Sequence, residues 1–282
     1  MERTEVQVDG GLLAARAAGD GEPVLIIQTA LSVDELAPLS VHRQIRDRYR
    51  VVTFDRRGYA GSSAIRPAGS IEVEADDCLR VMRAVDAFPA HVVGVSYSAA
   101  VALTLTASAP KAVRTVTVVE PPPRHVPASD EFLEANAQLL STYRAGGIAA
   151  ALDAFMTVVI GPDWRARQES LAPGSVARIE RDAGAFFAGD IPALVSWEYG
   201  PEQAGRAVAP ILYVGGSESG SWFRQTREWV SGLFPGAASV TISGAGHDLA
   251  MTHPGELATA IVRFLELRAS PTHAPNSWTS RG

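Results

Sequence analysis

The stretch of this chain best equipped for chemistry is Gly94-Val95-Ser96-Tyr97-Ser98. Before it lies the apolar run Ala90-His91-Val92-Val93, which reads as a buried strand, and after it Val101-Ala102-Leu103-Thr104-Leu105, which reads as a helix. A serine at the apex of a sharp strand-to-helix turn, with small residues two places to either side, is the pattern of a nucleophile elbow. The neighbours must be small because strand and helix nearly collide there, and the apex residue is held in a strained backbone conformation. The pattern is usually written G-x-S-x-G, and here Ser98 takes the last place. Taken alone, the pentapeptide also fits an ordinary strand-turn-helix with an incidental serine.

The elements that would position this serine alternate along the chain. Val6–Gly10 and Leu12–Arg16 read as a hairpin turning at Gly10-Gly11. Further strands follow at 23–27, 49–54, 90–95, 113–119, 210–216 and 238–242. Helical patterns fall between them: 33–46, a helix capped by Ser70 with Glu72 and Glu74 in its first turn, 97–108, 222–234, and a closing helix opened by Pro254. Such alternation predicts an α/β fold, a doubly wound, mostly parallel sheet of about eight strands. Residues 124–199 break the alternation: helical spacing and glycine or proline breaks, with no clear strand, predict an inserted helical cap. It carries Phe132, Phe155, Phe186, Phe187, Trp197 and Tyr199, about half of which read as ordinary packing. The predicted division is a core of 1–123 and 200–269, the cap at 124–199, and a disordered tail at 270–282. In such sheets ligands gather at the carboxyl ends of strands. Ser96, Glu120, Glu218, His247 and the loop at Gln28 all fall just past predicted strands, and this shared placement marks an active site.

Bulk properties narrow the partners. With 282 residues, 46% hydrophobic and 20% charged, the chain is of globular type. A net charge of −6 and no basic cluster argue against nucleic acid. The single cysteine, Cys78, permits no intrachain disulfide and reads as a buried thiol. The start, Met1-Glu2-Arg3-Thr4-Glu5, has no apolar signal core and no run approaches a membrane span, so the expectation is a cytoplasmic protein without a membrane partner, monomer or homodimer.

Four features together resemble the α/β-hydrolase family over about residues 5–269: the elbow, the loop Phe54-Asp55-Arg56-Arg57-Gly58-Tyr59-Ala60-Gly61-Ser62, the mid-chain helical insertion, and Gly244-Ala245-Gly246-His247 before the last helix. The resemblance implies Ser96 as nucleophile and His247 as its base, in the family's order of serine, acid, histidine. A serine hydroxyl needs such a base near neutral pH, and a carboxylate must fix the imidazole's tautomer. Two acids compete. The family's usual G-x-x-D reads here Gly216-Ser217-Glu218-Ser219, placing Glu218 one residue early; some members carry the acid one core strand sooner, where this chain has Glu120 before Pro121-Pro122-Pro123. Glu120 is favoured, being a carboxylate that ends an apolar strand. Asp248 adjoins His247, and adjacent residues rarely orient one another's rings. The resemblance also implies an oxyanion hole from the backbone N–H groups of Tyr97 and Ala30, although Gln28-Thr29 replaces the family's His-Gly. His42, His91, His125, His253 and His273 read as surface or packing residues; no metal and no cofactor are expected.

The implied activity is a serine hydrolase cleaving a carboxylic ester, thioester or lactone of a small, largely apolar substrate through an acyl-enzyme. Competing readings are a C–C bond hydrolase or a cofactor-free lyase or cyclase using the same serine and histidine, and a non-catalytic ligand-binding protein. Epoxide hydrolase and dehalogenase chemistry is disfavoured, because in this fold it uses a carboxylate at the elbow.

Overall fold

The computed structural model describes residues 2–63 and 69–269. Among them, eight strands form one sheet: β1 (Glu2–Val8), β2 (Gly11–Ala18), β3 (Glu22–Ile27), β4 (Tyr49–Phe54), β5 (Ala90–Val95), β6 (Val113–Val119), β7 (Ile211–Gly216) and β8 (Ala238–Ile242), in the order β1-β2-β4-β3-β5-β6-β7-β8. The pairs β1/β2 and β2/β4 are antiparallel and the rest parallel. The central strands β3, β5 and β6 are nearly continuous apolar runs because helices cover both faces, whereas the edge strand β1 alternates exposed and buried residues. Gly10, at φ +87°, turns the first hairpin as its sequence predicts.

The helices are α1 (Ala37–Ser40), α2 (Arg43–Arg46), α3 (Ile71–Ala84), α4 (Tyr97–Ser108), α5 (Ser129–Val159), α6 (Trp164–Leu171), α7 (Ser175–Ala185), α8 (Ile191–Ser196), α9 (Pro201–Arg206), α10 (Ser221–Leu233), α11 (Leu249–Thr252) and α12 (Pro254–Ala269). Ser70 caps α3, its hydroxyl accepting the Val73 N–H. Helix α4 is buried on almost every side, packed with α3 against β5 and β6 in one core cluster. The opposite face of the sheet is covered by α1, α2, α11 and α12.

Three local differences from the sequence expectations have physical causes. The single helix expected at 33–46 is two short turns, α1 and α2, because His42 takes an extended conformation between them. Its apolar spacing comes from Leu36, Leu39 and Ile45 packing into the core on one face of the sheet. Helix α5 runs through Gly146-Gly147, yet Gly147 (φ 76°, ψ −174°) kinks it where a break is expected. Asp190-Ile191-Pro192, expected to break the chain, instead passes from a π-turn (Phe186–Asp190) straight into α8, with helical backbone at Asp190 and Ile191.

Between β6 and β7 the chain forms α5 to α9 and no strand. Leu139, Leu152, Trp164, Ile179 and Phe187 there make an apolar cluster of their own, which also takes in Leu31 from the loop after β3. Among the described residues no single helix is long and apolar enough to cross a membrane. The tail expected at 270–282 lies outside the described residues.

Candidate active site

Ser96 sits at φ 50°, ψ −119°, a strained backbone between the end of β5 and the start of α4. A Cβ on Gly94 would lie 2.2 Å from the Ser98 carbonyl oxygen, so that place demands glycine. Ser98 itself is fully buried; its hydroxyl accepts the Val95 N–H (2.9 Å) and donates to the Val95 carbonyl (3.0 Å). The serine that departs from the usual pattern therefore folds back onto the strand end, with its polar atom satisfied.

The structure brings three of the sequence-derived residues into one line. The Ser96 hydroxyl donates to His247 Nε2 at 3.1 Å, and His247 Nδ1–H donates to Glu120 Oε2 at 2.7 Å. The other oxygen of Glu120 accepts the Gly216 N–H at 2.7 Å. Glu120 is fully buried and has φ +45°. Its own N–H still bonds Val214 O in the ladder, so the side chain reaches β7 without releasing the backbone from the sheet. Glu218 is exposed at the end of β7, and its N–H bonds Ala245 O. Asp248 pairs by charge with Arg167 of α6 at 2.5 Å.

Burial works against the His247 imidazolium. The hydrogen bond and charge of Glu120, with smaller help from Glu35 and Asp248, outweigh it and raise the pKa above the usual 6.5. Phe223 stacks on the His247 ring, 4.0 Å between centroids and 12° from parallel. Glu35, in the loop before α1, was not marked by any sequence pattern; burial, reinforced by Asp248 and Glu120 and opposed by His247, pushes its carboxyl up to about 7.

Ser96, His247, Ala30 and Tyr97 all face a cavity of about 860 Å³ at the carboxyl end of the sheet. Its far wall is built from the helical segment, including Phe132, Leu139, Phe155, Phe186 and Leu194. Tyr97 opens α4, where a backbone N–H has no partner within the helix. Ala30 follows Thr29, whose hydroxyl ties the loop to Val95 O at 2.8 Å.

Of the remaining histidines, His91 is buried against Thr115 and His125 accepts the Tyr199 N–H. His253 lies on the cavity wall, and His273 is outside the described residues. Among the described residues no group of three His, Cys, Asp or Glu is arranged to hold a metal ion. Sequence reasoning also missed Asp190, a buried carboxylate on the cavity wall that reaches Arg56 in the loop after β4.

A family model described as the alpha/beta hydrolase family matches residues 29–260. None of the curated proteins matches the chain. Among solved structures, a thermophilic esterase from Thermogutta terrifontis superposes with a TM-score of 0.80 at 18% identity, covering 96% of this chain and 100% of that one. An enol-lactonase from Burkholderia xenovorans LB400 gives 0.76 at 20% identity, covering 93% and 100%. A bromoperoxidase from Bacillus anthracis gives 0.76 at 19%, covering 94% and 100%. At these identities the structures share the fold.

Proposed function

The chain belongs to the alpha/beta hydrolase family, and from that premise we propose that it is a serine hydrolase cleaving a carboxylic ester, thioester or lactone of a small, largely apolar substrate. The observation that carries this reading is the unbroken relay from Ser96 through His247 to the buried Glu120, opening into an apolar-walled cavity. His247 Nε2 takes the hydroxyl proton as Ser96 Oγ attacks the carbonyl carbon. The oxyanion so formed meets the backbone N–H groups of Ala30 and Tyr97. The imidazolium, steadied by Glu120, then protonates the departing oxygen or sulfur, and water releases the acyl group by the same steps in reverse order.

The esterase and lactonase among the similar structures support an ester-type substrate. Charge supports a neutral one. The cavity wall carries Glu131 and Glu218, and the one arginine among its described lining residues, Arg167, is engaged by Asp248, leaving little there to attract a carboxylate-bearing acyl chain. The helical insertion acts as a cap over the acyl chain.

A panel of p-nitrophenyl esters with neutral and carboxylate-tipped acyl chains tests the reading. Neutral medium-length chains are hydrolysed with the highest kcat/KM, and Ser96→Ala abolishes turnover in a folded protein. Full activity in Ser96→Ala, or preference for the carboxylate-tipped chains, overturns it.

A further inference from the structure

Of the two proposed oxyanion donors, Ala30 touches both the main core and the apolar cluster of the helical insertion. Tyr97 packs in the main core with α3 and α4. Leu31, directly after Ala30, packs instead with Leu139, Leu152, Trp164 and Phe187 of the helical insertion. Leu31 also has φ +64°, a left-handed conformation that a residue with a Cβ holds only when its surroundings impose it.

What imposes it is a buried polar cluster. The Leu31 N–H donates to the Tyr59 hydroxyl at 2.9 Å, and that hydroxyl donates to Asp190 Oδ2 at 2.5 Å. Asp190 ends the π-turn of the insertion and is 1% exposed. The Arg56 guanidinium, equally buried, meets Asp190 at 2.7 and 3.1 Å. It also meets Glu74 of α3 at 2.6 and 2.7 Å. From the same residue the backbone N–H bonds Gln28 Oε1 at 2.8 Å, holding the base of the oxyanion loop. On the other side the Tyr97 hydroxyl bonds Glu74 Oε1 at 2.9 Å, and the guanidinium lies 4.3 Å from the centre of the Tyr97 ring. One arginine thus touches the loop of the first donor, the residue of the second, and the insertion. Splitting so deeply buried an ion cluster is costly, so its parts move together or not at all.

Resting on the serine-hydrolase reading above, we propose that Tyr59 and Asp190 are positioning residues of the oxyanion hole, which fasten the Ala30 loop to the helical insertion so that the hole is complete only while the insertion is seated. The mid-chain segment is then part of the catalytic apparatus as well as a wall for the substrate.

Tyr59→Phe removes only the linking hydroxyl, and Asp190→Asn keeps shape while removing charge. Each is compared with the wild type on a neutral p-nitrophenyl ester, well below its own Tm. A matching trifluoromethyl ketone is the second probe: its carbonyl carbon takes up Ser96 Oγ, the hydroxyl proton passes to His247, and an oxyanion is left in the hole. Each substitution lowers kcat about 10-fold, as expected of a displaced rather than deleted donor. It leaves KM within about twofold and weakens the ketone in parallel with kcat. The double variant loses no more than the worse single one, since both act through one link. Wild-type kcat and ketone affinity with a lowered Tm alone would reduce the cluster to a structural role and overturn the proposal. Absence of ester hydrolysis in the wild type itself would overturn the serine-hydrolase reading, and this proposal with it.

Discussion

The carboxyl ends of β6 and β7 lie side by side, and each offers a glutamate. Glu120, at the end of β6, is fully buried, takes a positive φ, and spends its two oxygens on His247 and the Gly216 N–H. Glu218, past the end of β7, is exposed on the cavity rim. The family spacing falls one place beyond the second, the sequence favours the first, and the geometry brings the first to His247. A carboxylate orients an imidazole only where it is fixed and shielded from water. The buried run Pro121-Pro122-Pro123 and the β7 backbone supply both conditions beside Glu120. The place where the resemblance expects an aspartate is held by Ser219, whose hydroxyl carries no charge.

That contrast is broken most directly at Glu120. Glu120→Gln puts an amide where His247 needs an acceptor, selects the wrong tautomer, and lowers kcat by on the order of 10³- to 10⁴-fold in a steady-state ester assay. A smaller push on the carboxylate's other oxygen, the one that accepts the Gly216 N–H, comes from Gly215→Ala, whose Cβ would stand 3.2 Å from Glu120 Oε1 and 3.0 Å from Tyr213 Cε1. Displacement by a few tenths of an ångström lowers kcat about 10-fold with the fold retained, measured by kinetics beside circular dichroism.

The pH profile sharpens the comparison. His247 acts as base only when neutral, and its pKa is raised by Glu120 despite burial. In kcat/KM the acid limb therefore rises with pH through a midpoint above 6.5. Removing the Glu120 charge moves that midpoint down. Glu35→Gln moves it down by less, because Glu35 is a smaller contributor to the same shift. At the other strand end, Glu218→Gln changes kcat on neutral esters by no more than about twofold, as for an exposed side chain. A large loss there with Glu120→Gln active would transfer the orienting role to β7.

Much of the fold was legible because buried parallel strands announce themselves as valine- and isoleucine-rich runs, and β3, β5, β6 and β7 are such runs. The elbow was legible because sterics confine Gly94 and Ser98 to small residues whatever the rest of the chain does. Local apolar spacing misled at 33–46, where Leu36, Leu39 and Ile45 pack into the core from a segment that turns helical only in two short pieces. The Arg56–Asp190 pair was illegible for another reason: 134 residues separate its members, and nothing local to either foretells the other. Glu35 is similar, since its burial beside His247 is a product of the tertiary fold alone.

The most direct test of the relay is covalent labelling of the serine. The intact protein is incubated with a fluorophosphonate, its mass recorded, and the modified residue mapped; Ser96 Oγ displaces fluoride from phosphorus as His247 takes the proton. A single adduct on Ser96, formed quickly in the wild type and in Glu218→Gln, slowly in Glu120→Gln and not in His247→Ala, is the result that an activated Ser96 requires. A folded protein that takes no adduct, or takes it on another residue, contradicts it.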